Sequence, residues 1–273
     1  MHHTRFLCII AFASAFVCQL CGTAECYAQW EGREEIVSNV EKTFVDPPEM
    51  VRLDKTSRVW ADKKNKLVVV DGYITLTNGQ LEMLACPVRT KEHESIIALF
   101  TKAQFIHAGL LAVGAKKGKP VAWEPKYAPP TGSKIGVFAL WKDDKGKKHM
   151  IDAREWVREV GTEKGTLQMP FVFAGSGFWT DPDDGTKHYM AEAGDLICVS
   201  NFSTATLDIP TKSSQANSGL MFATFTERIP KIKTPVRVVL QVMDEAKESS
   251  EEKASDKEKK KPKVIEALLK TIK

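Results

Sequence analysis

The ten residues LVVVDGYITL, at positions 67–76, decide the fold of this chain. They combine three consecutive valines with the group Tyr73-Ile74-Thr75, and β-branched and aromatic side chains pack well on the pleated surface of a sheet. Gly72 interrupts the run, and a glycine inside a strand pattern is typical of a bulge or a bend. The stretch therefore predicts a β-strand with an irregularity at Gly72.

The segments that follow alternate between strand and helix patterns. An Asn-Gly pair at 78–79 predicts a hairpin into a strand at 80–85. Residues 90–100 and 103–113 carry apolar side chains at helical spacing and predict two helices. Strand patterns return between residues 135 and 242. We therefore expect an α+β fold, with a mainly antiparallel or mixed sheet and two or three packed helices.

Length and charge narrow the functional classes. The chain has 273 residues, 43% of them hydrophobic, and this suits one large globular domain with an ordinary core. Its formal net charge is +4, and the basic residues are dispersed among acidic ones. Nucleic-acid binding depends on a concentrated basic surface, so we expect no nucleic-acid partner.

The N-terminus reads as a secretory signal. Residues 6–20 are apolar except for Ser14 and Gln19, and as a helix they would span about 22 Å, short of the roughly 30 Å of a bilayer core. Small residues then offer cleavage after Ala24 or Ala28, of which we prefer Ala28. We expect a signal peptide at 1–28 and a periplasmic or extracellular product with no transmembrane span, while an uncleaved membrane anchor stays open.

The mature chain divides by composition. Residues 29–243 have globular composition, whereas residues 244–263 are almost wholly charged or small and predict a disordered tail. Residues 264–273 carry a short amphipathic stripe of apolar side chains. This stripe predicts either docking on a partner or a membrane surface, or a fraying end.

The cysteines take their meaning from export. Four of the six lie in the predicted signal, which leaves Cys86 and Cys198. Two thiolates are too few for a tetrahedral thiolate zinc site or an iron–sulfur cluster. They predict a disulfide in an oxidising compartment or two separate buried thiols. Cys86 is also a candidate nucleophile because His93 is near it in sequence.

His93, Glu94 and His107 are the residues best suited to metal chemistry. If the two predicted helices pack antiparallel, two imidazoles and one carboxylate face one cleft, which is a plausible ligand set for zinc or another divalent ion. The alternative is that His93 binds a loop carbonyl, Glu94 favours the helix N-terminus and His107 is a core histidine. The candidate binding site thus comprises these three residues with Cys86 at its rim.

Several segments resemble the YdjY-like domain of bacterial envelope and exported proteins. The resemblance extends from Val59 to Val242 and rests on these segments: EHES (92–95), HAGLLAVG (107–114), FVFAGS (171–176), YMAE (189–192) and GDLI (194–197). It implies an exported or envelope setting and points to no reaction.

Two functions remain open at this level. The first is an exported noncatalytic module that binds an envelope protein, a wall component or a small ligand and uses no cofactor. The second is a periplasmic enzyme that uses either a divalent metal such as zinc at His93, Glu94 and His107 or the thiol of Cys86. The absence of a recognisable catalytic motif favours the first.

Overall fold

The computed structural model describes residues 34–163, 165–214, 219–243 and 263–273. The chain divides into two units, Met1–Ser38 and Asn39–Lys273. In the first unit, residues 34–38 are helical. The predicted signal at 1–28 lies outside the described residues, as does the predicted tail up to residue 262.

The described residues form fourteen strands and three α-helices. The helices are α1 (residues 34–43, of which 39–43 belong to the second unit), α2 (Ala103–Ala112) and α3 (Lys263–Leu268). The strands are β1 (Val51–Arg52), β2 (Val59–Asp62), β3 (Leu67–Ile74), β4 (Met83–Pro87), β5 (Ser95–Leu99), β6 (Lys134–Lys142), β7 (Lys148–Asp152), β8 (Val157–Glu159), β9 (Phe171–Val172), β10 (Phe178–Thr180), β11 (Lys187–Tyr189), β12 (Ile197–Cys198), β13 (Phe222–Thr224) and β14 (Pro235–Val242).

A ten-stranded mixed sheet organises the described part of the second unit. Its main path runs β12-β4-β5-β3-β14-β6-β7, β1 and β2 extend from β3, and β9 joins β6. The β4–β5 pair is parallel and the other pairs of this sheet are antiparallel. Two short ribbons, β10–β11 and β8–β13, lie outside it. The predicted α+β class is confirmed.

Strand β3 reads as an unbroken apolar run because both of its faces are covered. Val68 and Val70 belong to the core on one side of the sheet, which includes buried residues of α2. Leu67 and Val69 belong to a second core on the other side. Gly72 lets β5 approach closely, since a Cβ there would lie 2.1 Å from the carbonyl oxygen of Ala98. The predicted irregularity is thus a site of close backbone approach.

The helix predicted at 90–100 is wrong. Glu92–Glu94 forms a 3-10 turn, and Ser95–Leu99 is strand β5, paired in parallel with β4. All five side chains of β5 are buried, and a short continuous apolar run does not distinguish a buried strand from a buried helix. The hairpin predicted at 78–79 is also wrong, because β4 pairs with β5 and β12. The helix predicted at 103–113 is confirmed as α2.

The C-terminal stripe packs on the chain itself. Ile265, Leu268 and Ile272 are buried in the second core beside Phe44 and Trp60. A partner, a membrane or a fraying end is therefore the wrong interpretation of this stripe. The physical reason is that the second face of the sheet is apolar and must be covered, and the C-terminal segment covers it. The sequence of the segment shows that it is amphipathic but does not show which surface it packs on.

Candidate functional site

His93 and Glu94 lie on the turn that connects the parallel strands β4 and β5. The side chain of His93 is 73% exposed, and its Nε2 lies 3.2 Å from Oε1 of Glu94. Glu94 points inward and shares a hydrogen bond with the side chain of Glu82, which is nearly buried. The turn therefore links an exposed imidazole to a pair of carboxyl groups.

The carboxyl pair has an unusual proton affinity. Burial, reinforced by the hydrogen bond and the charge of Glu94, raises the pKa of Glu82 to about 7. Lys91 offsets part of this effect, with its Nζ 3.6 Å from Oε2 of Glu82 and 3.0 Å from Oδ1 of Asp195. The hydroxyl of Thr204 donates to the other oxygen of Asp195. These side chains form one network of ionic and hydrogen-bonded contacts, which we call the carboxyl network (Glu82, Lys91, Glu94, Asp195 and Thr204).

His107 belongs to a different network. It lies on α2, and its Nδ1 is 2.8 Å from the hydroxyl of Tyr189, which is 2.9 Å from Oγ1 of Thr206. The imidazole meets the rings of Phe173 and Tyr189 edge to face, at centroid distances of 5.0 and 5.2 Å. It also hydrogen-bonds the backbone of Gly175. The ring is thus held on several sides.

The electrostatics of this second network favour neutral groups. Burial, and then the nearby charge of Lys117, lowers the pKa of His107, so the imidazole is neutral at pH 7. Burial raises the pKa of Tyr189 above its ordinary value. A neutral imidazole hydrogen-bonded to a neutral phenol is a stable structural pair. We call this pair, with Thr206, the histidine lock.

Glu192, three residues after Tyr189, caps the N-terminus of α2. Its two carboxylate oxygens accept hydrogen bonds from the backbone N–H groups of Ala103 and Gln104, at 3.0 and 2.9 Å. These groups have no partner inside the helix, and a carboxylate is favoured at the positive end of the helix dipole. The segment from Tyr189 to Glu192 therefore holds α2 at two points.

The three predicted metal ligands are not brought to one site, because His93 contacts Glu94 whereas His107 contacts Tyr189. Within the described ranges, no group of three or more His, Cys, Asp or Glu side chains is placed to hold a metal ion. The predicted cleft required two facing helices, but His93 lies on a turn before a strand and His107 is engaged in the histidine lock. His93, Glu94 and His107 therefore do not fit a shared zinc site.

Of the two predicted alternatives for the cysteines, a disulfide or separate buried thiols, the structure has the second. Cys198 pairs with Met83 across β12 and β4, and Cys86 lies three residues further along β4. That offset corresponds to roughly 10 Å along a strand, beyond the limit of about 7 Å between bridged Cα atoms. Burial raises the pKa of both thiols, which disfavours the nucleophilic thiolate.

An exposed aromatic ribbon projects beside the histidine lock. Strands β10 and β11 form an antiparallel hairpin over residues 178–189, which we call the aromatic hairpin. Phe178 and Trp179 are 61% and 50% exposed. The ring of Phe178 lies 5.3 Å from that of Tyr189, and the ring of Trp179 lies 5.5 Å from that of His188. The base of the hairpin is therefore anchored through Tyr189, while two large rings remain accessible.

A family model, described as the YdjY domain, matches residues 59–241. The chain belongs to the YdjY domain family. The match covers the ten-stranded sheet from β2 to nearly the end of β14, together with both polar networks and the aromatic hairpin. No curated protein and no solved structure matches the chain.

Several residues of the two polar networks were not predicted from the sequence. Tyr189, Glu192 and Asp195 lie within the segments YMAE and GDLI, which carried the family resemblance without suggesting a role. Lys91 directly precedes the segment EHES, which carried the resemblance as well, whereas Glu82 lies outside the segments that did. Apart from Glu82, these residues could have been singled out because polar side chains recur in or beside the segments that carry the family resemblance. In the folded chain these side chains lie in two networks.

The described ranges contain no helix that is long and apolar enough to cross a membrane. Among the described residues, the longest helices are α1 and α2, with ten described residues each.

Proposed function

We propose that this chain is an exported, noncatalytic binding module of the bacterial envelope, and that the aromatic hairpin is its binding surface. The observation that carries the proposal is the exposure of Phe178 and Trp179 on a ribbon whose base is fixed by Tyr189. Large aromatic side chains grouped at a surface are typical of interaction sites. Anchoring reduces the conformational entropy that the ribbon would lose on binding.

The geometry of the polar residues supports a noncatalytic role. The imidazole of His107 is already engaged by the hydroxyl of Tyr189 and the backbone of Gly175, and Cys86 and Cys198 are buried thiols with raised pKa values. A general base or a nucleophile needs a lone pair that is free to reach a substrate. These residues instead stabilise the scaffold that carries the aromatic hairpin.

The alternative, a metal-dependent or thiol enzyme, has weaker support. It needs either a shared ligand set at His93, Glu94 and His107 or an accessible thiolate at Cys86. The first requires side chains that lie in different networks, and the second requires a thiol that is completely buried.

Export is supported by the N-terminal apolar run and its small-residue exits. The intact mass of the protein recovered from its native host should correspond to a chain that lacks residues 1–24 or 1–28. A full-length mass would overturn the export part of the proposal.

Binding is tested by site-specific photo-cross-linking in the native host. A photoreactive amino acid replaces Thr180, which is exposed next to Trp179, and a matched control replaces Ile232, which is 54% exposed elsewhere. We expect a discrete adduct from position 180 that disappears with the added substitutions Phe178→Ala and Trp179→Ala, and no such adduct from position 232. Equal adducts at both positions, or none, would overturn the proposal.

A further inference from the structure

The tip of the aromatic hairpin is acidic. Asp181, Asp183 and Asp184 lie in the turn between β10 and β11, and Lys187 is the cation of the same ribbon. The chain as a whole has a formal net charge of +4. The hairpin is therefore opposite in sign to the protein that carries it.

Two of the three acidic side chains, those of Asp181 and Asp184, are held by backbone hydrogen bonds. Oδ1 of Asp181 accepts the backbone N–H of Asp183 at 2.9 Å, and Oδ1 of Asp184 accepts the backbone N–H of Thr186 at 2.7 Å. The backbone hydrogen bond from Thr186, with the Thr186 side chain and the charge of His188, lowers the pKa of Asp184. Asp184 therefore stays ionised at neutral pH.

The neighbouring ring offers a second attraction for a cation. The π face of tryptophan carries partial negative charge and binds Lys and Arg side chains. This chain already uses that contact, with Cζ of Arg58 5.2 Å and Cζ of Arg237 5.5 Å from the ring centre of Trp60. In the described part of the chain, no Lys or Arg is found over the ring of Trp179.

We infer that the aromatic hairpin binds a cationic segment of a partner protein, with a Lys or Arg side chain against Trp179 and the carboxylates of Asp183 and Asp184 facing the remaining positive charge. This inference rests on the proposed function and adds the chemistry of the partner. The combination of aromatic and acidic groups on one small ribbon selects a cationic polypeptide through both its aliphatic stem and its charged end.

Other occupants suit the charges less well. An anionic lipid surface attracts basic segments and is repelled by three aspartates at the tip of the ribbon. A wholly apolar partner would remove those carboxylates from water without compensating them. Charge complementarity therefore favours a basic segment of protein.

The test uses the full chain and a fluorescent hexa-arginine peptide as the probe, with hexa-glutamate as the charge-reversed probe. Binding is followed by fluorescence anisotropy. We expect hexa-arginine to bind, hexa-glutamate not to bind, and the affinity for hexa-arginine to be higher at about 50 mM salt than at about 300 mM salt.

Two sets of variants separate the ring from the charges. Trp179→Leu keeps apolar bulk but removes the π face, and the double variant Asp183→Asn/Asp184→Asn removes two charges at nearly constant shape. Each should weaken hexa-arginine binding about tenfold. The controls Ile232→Ala and Glu163→Gln change an exposed apolar residue and an exposed acid elsewhere, and they should bind as the wild type does.

The outcomes are distinguishable from those of the proposed function. Undiminished binding by both variant sets, binding of hexa-glutamate, or no hexa-arginine binding by the wild type overturns this inference. If the position-180 adduct still forms in the native host in such a case, the binding surface stands and only its cationic partner is wrong.

Discussion

Arg237 and Asp71 face each other across β14 and β3 and form a two-point ion pair in the interior of the protein. Nε of Arg237 lies 2.6 Å from Oδ1 of Asp71, and Nη2 lies 2.9 Å from Oδ2. Arg58 adds a second cation at 2.7 Å from Oδ2. Arg237 also donates to Thr271 and to the carbonyl of Val45. The pair therefore ties segments from both ends of the second unit to the central sheet.

Removing Arg237 should destabilise the fold strongly. The variant Arg237→Met leaves Thr271 and the carbonyl of Val45 without their donor and Asp71 with one cation, and breaking a buried pair in this way costs about 3–5 kcal/mol. Urea unfolding at equilibrium measures the loss. Arg228→Met is the control, because Arg228 lies 4.0 Å from Glu155 at the surface and such pairs contribute about 1 kcal/mol or less. An unfolding free energy within about 1 kcal/mol of the wild type for Arg237→Met would contradict the account.

The C-terminal segment should be required for full stability. Ile265 is completely buried in the second core, so Ile265→Ala should lower the free energy of unfolding by about 2–4 kcal/mol. Leu111→Ala is a matched control on α2, since Leu111 is 48% exposed and its loss should cost less than about 1 kcal/mol. Truncation after Met243 should also lower the melting temperature. A truncated chain that melts with the wild type would show that the second core does not need this segment.

The sequence predicted those helices and strands whose own residues show a regular apolar pattern. The β-branched run of β3 and the apolar spacing of α2 were readable because each element buries its own side chains in a regular way. Strand β5 was misread as a helix, because Ile96, Ile97, Leu99 and Phe100 also fit helical spacing, and a short apolar run does not distinguish a buried strand from a buried helix. The Arg237–Asp71 pair shows a different limit, since 166 residues separate its members.

The candidate site was predicted only in part. Glu94 lies in the carboxyl network, His107 lies in the histidine lock and the exposed His93 contacts Glu94, but the partners of His107 are distant in sequence. Tyr189 lies 82 residues after His107, and only the folded sheet brings them together. Helical spacing suggested that the two histidines face one cleft, and the parallel β4–β5 arrangement removed the basis for that expectation.

The stability of the protein should fall as the pH rises through neutrality. Folded Glu82 keeps its proton to a pKa of about 7, whereas the ordinary pKa of a glutamate is 4.5. Between these values the folded state binds more protons than the unfolded state, so the free energy of unfolding decreases with increasing pH. Glu82→Gln should reduce this slope in urea unfolding series between about pH 5 and pH 8.

Asp208 contributes a slope of the same sign, because burial raises its pKa to about 8. The slope of the Glu82→Gln variant should therefore be smaller than that of the wild type without vanishing. Glu163→Gln, at an exposed position, is the control and should follow the wild type. If the Glu82→Gln variant kept the full wild-type slope, the pH dependence of the free energy of unfolding would come from groups other than Glu82.

Cys86 and Cys198 should be recovered as thiols from the native host. Both are buried and free in the structure, so alkylation should be slow in the native state and complete in denaturant without any reductant. Intact mass then counts the adducts: two if the chain begins after Ala28, or three if it begins after Ala24 and retains Cys26. Labelling of these two residues only after reduction would mean that they form a disulfide in the native host.

The most direct test of the proposed binding role is the size of the assembly that contains this chain in cells of its native host. A gently solubilised extract of these cells is separated by size exclusion, and the chain is detected with an antibody. We predict that the wild type elutes above the mass of the free chain, and that the variant Phe178→Ala/Trp179→Ala elutes as the free chain with an unchanged melting temperature. A wild type that elutes as the free chain, or a double variant that stays in the larger assembly, would contradict a binding role for the aromatic hairpin.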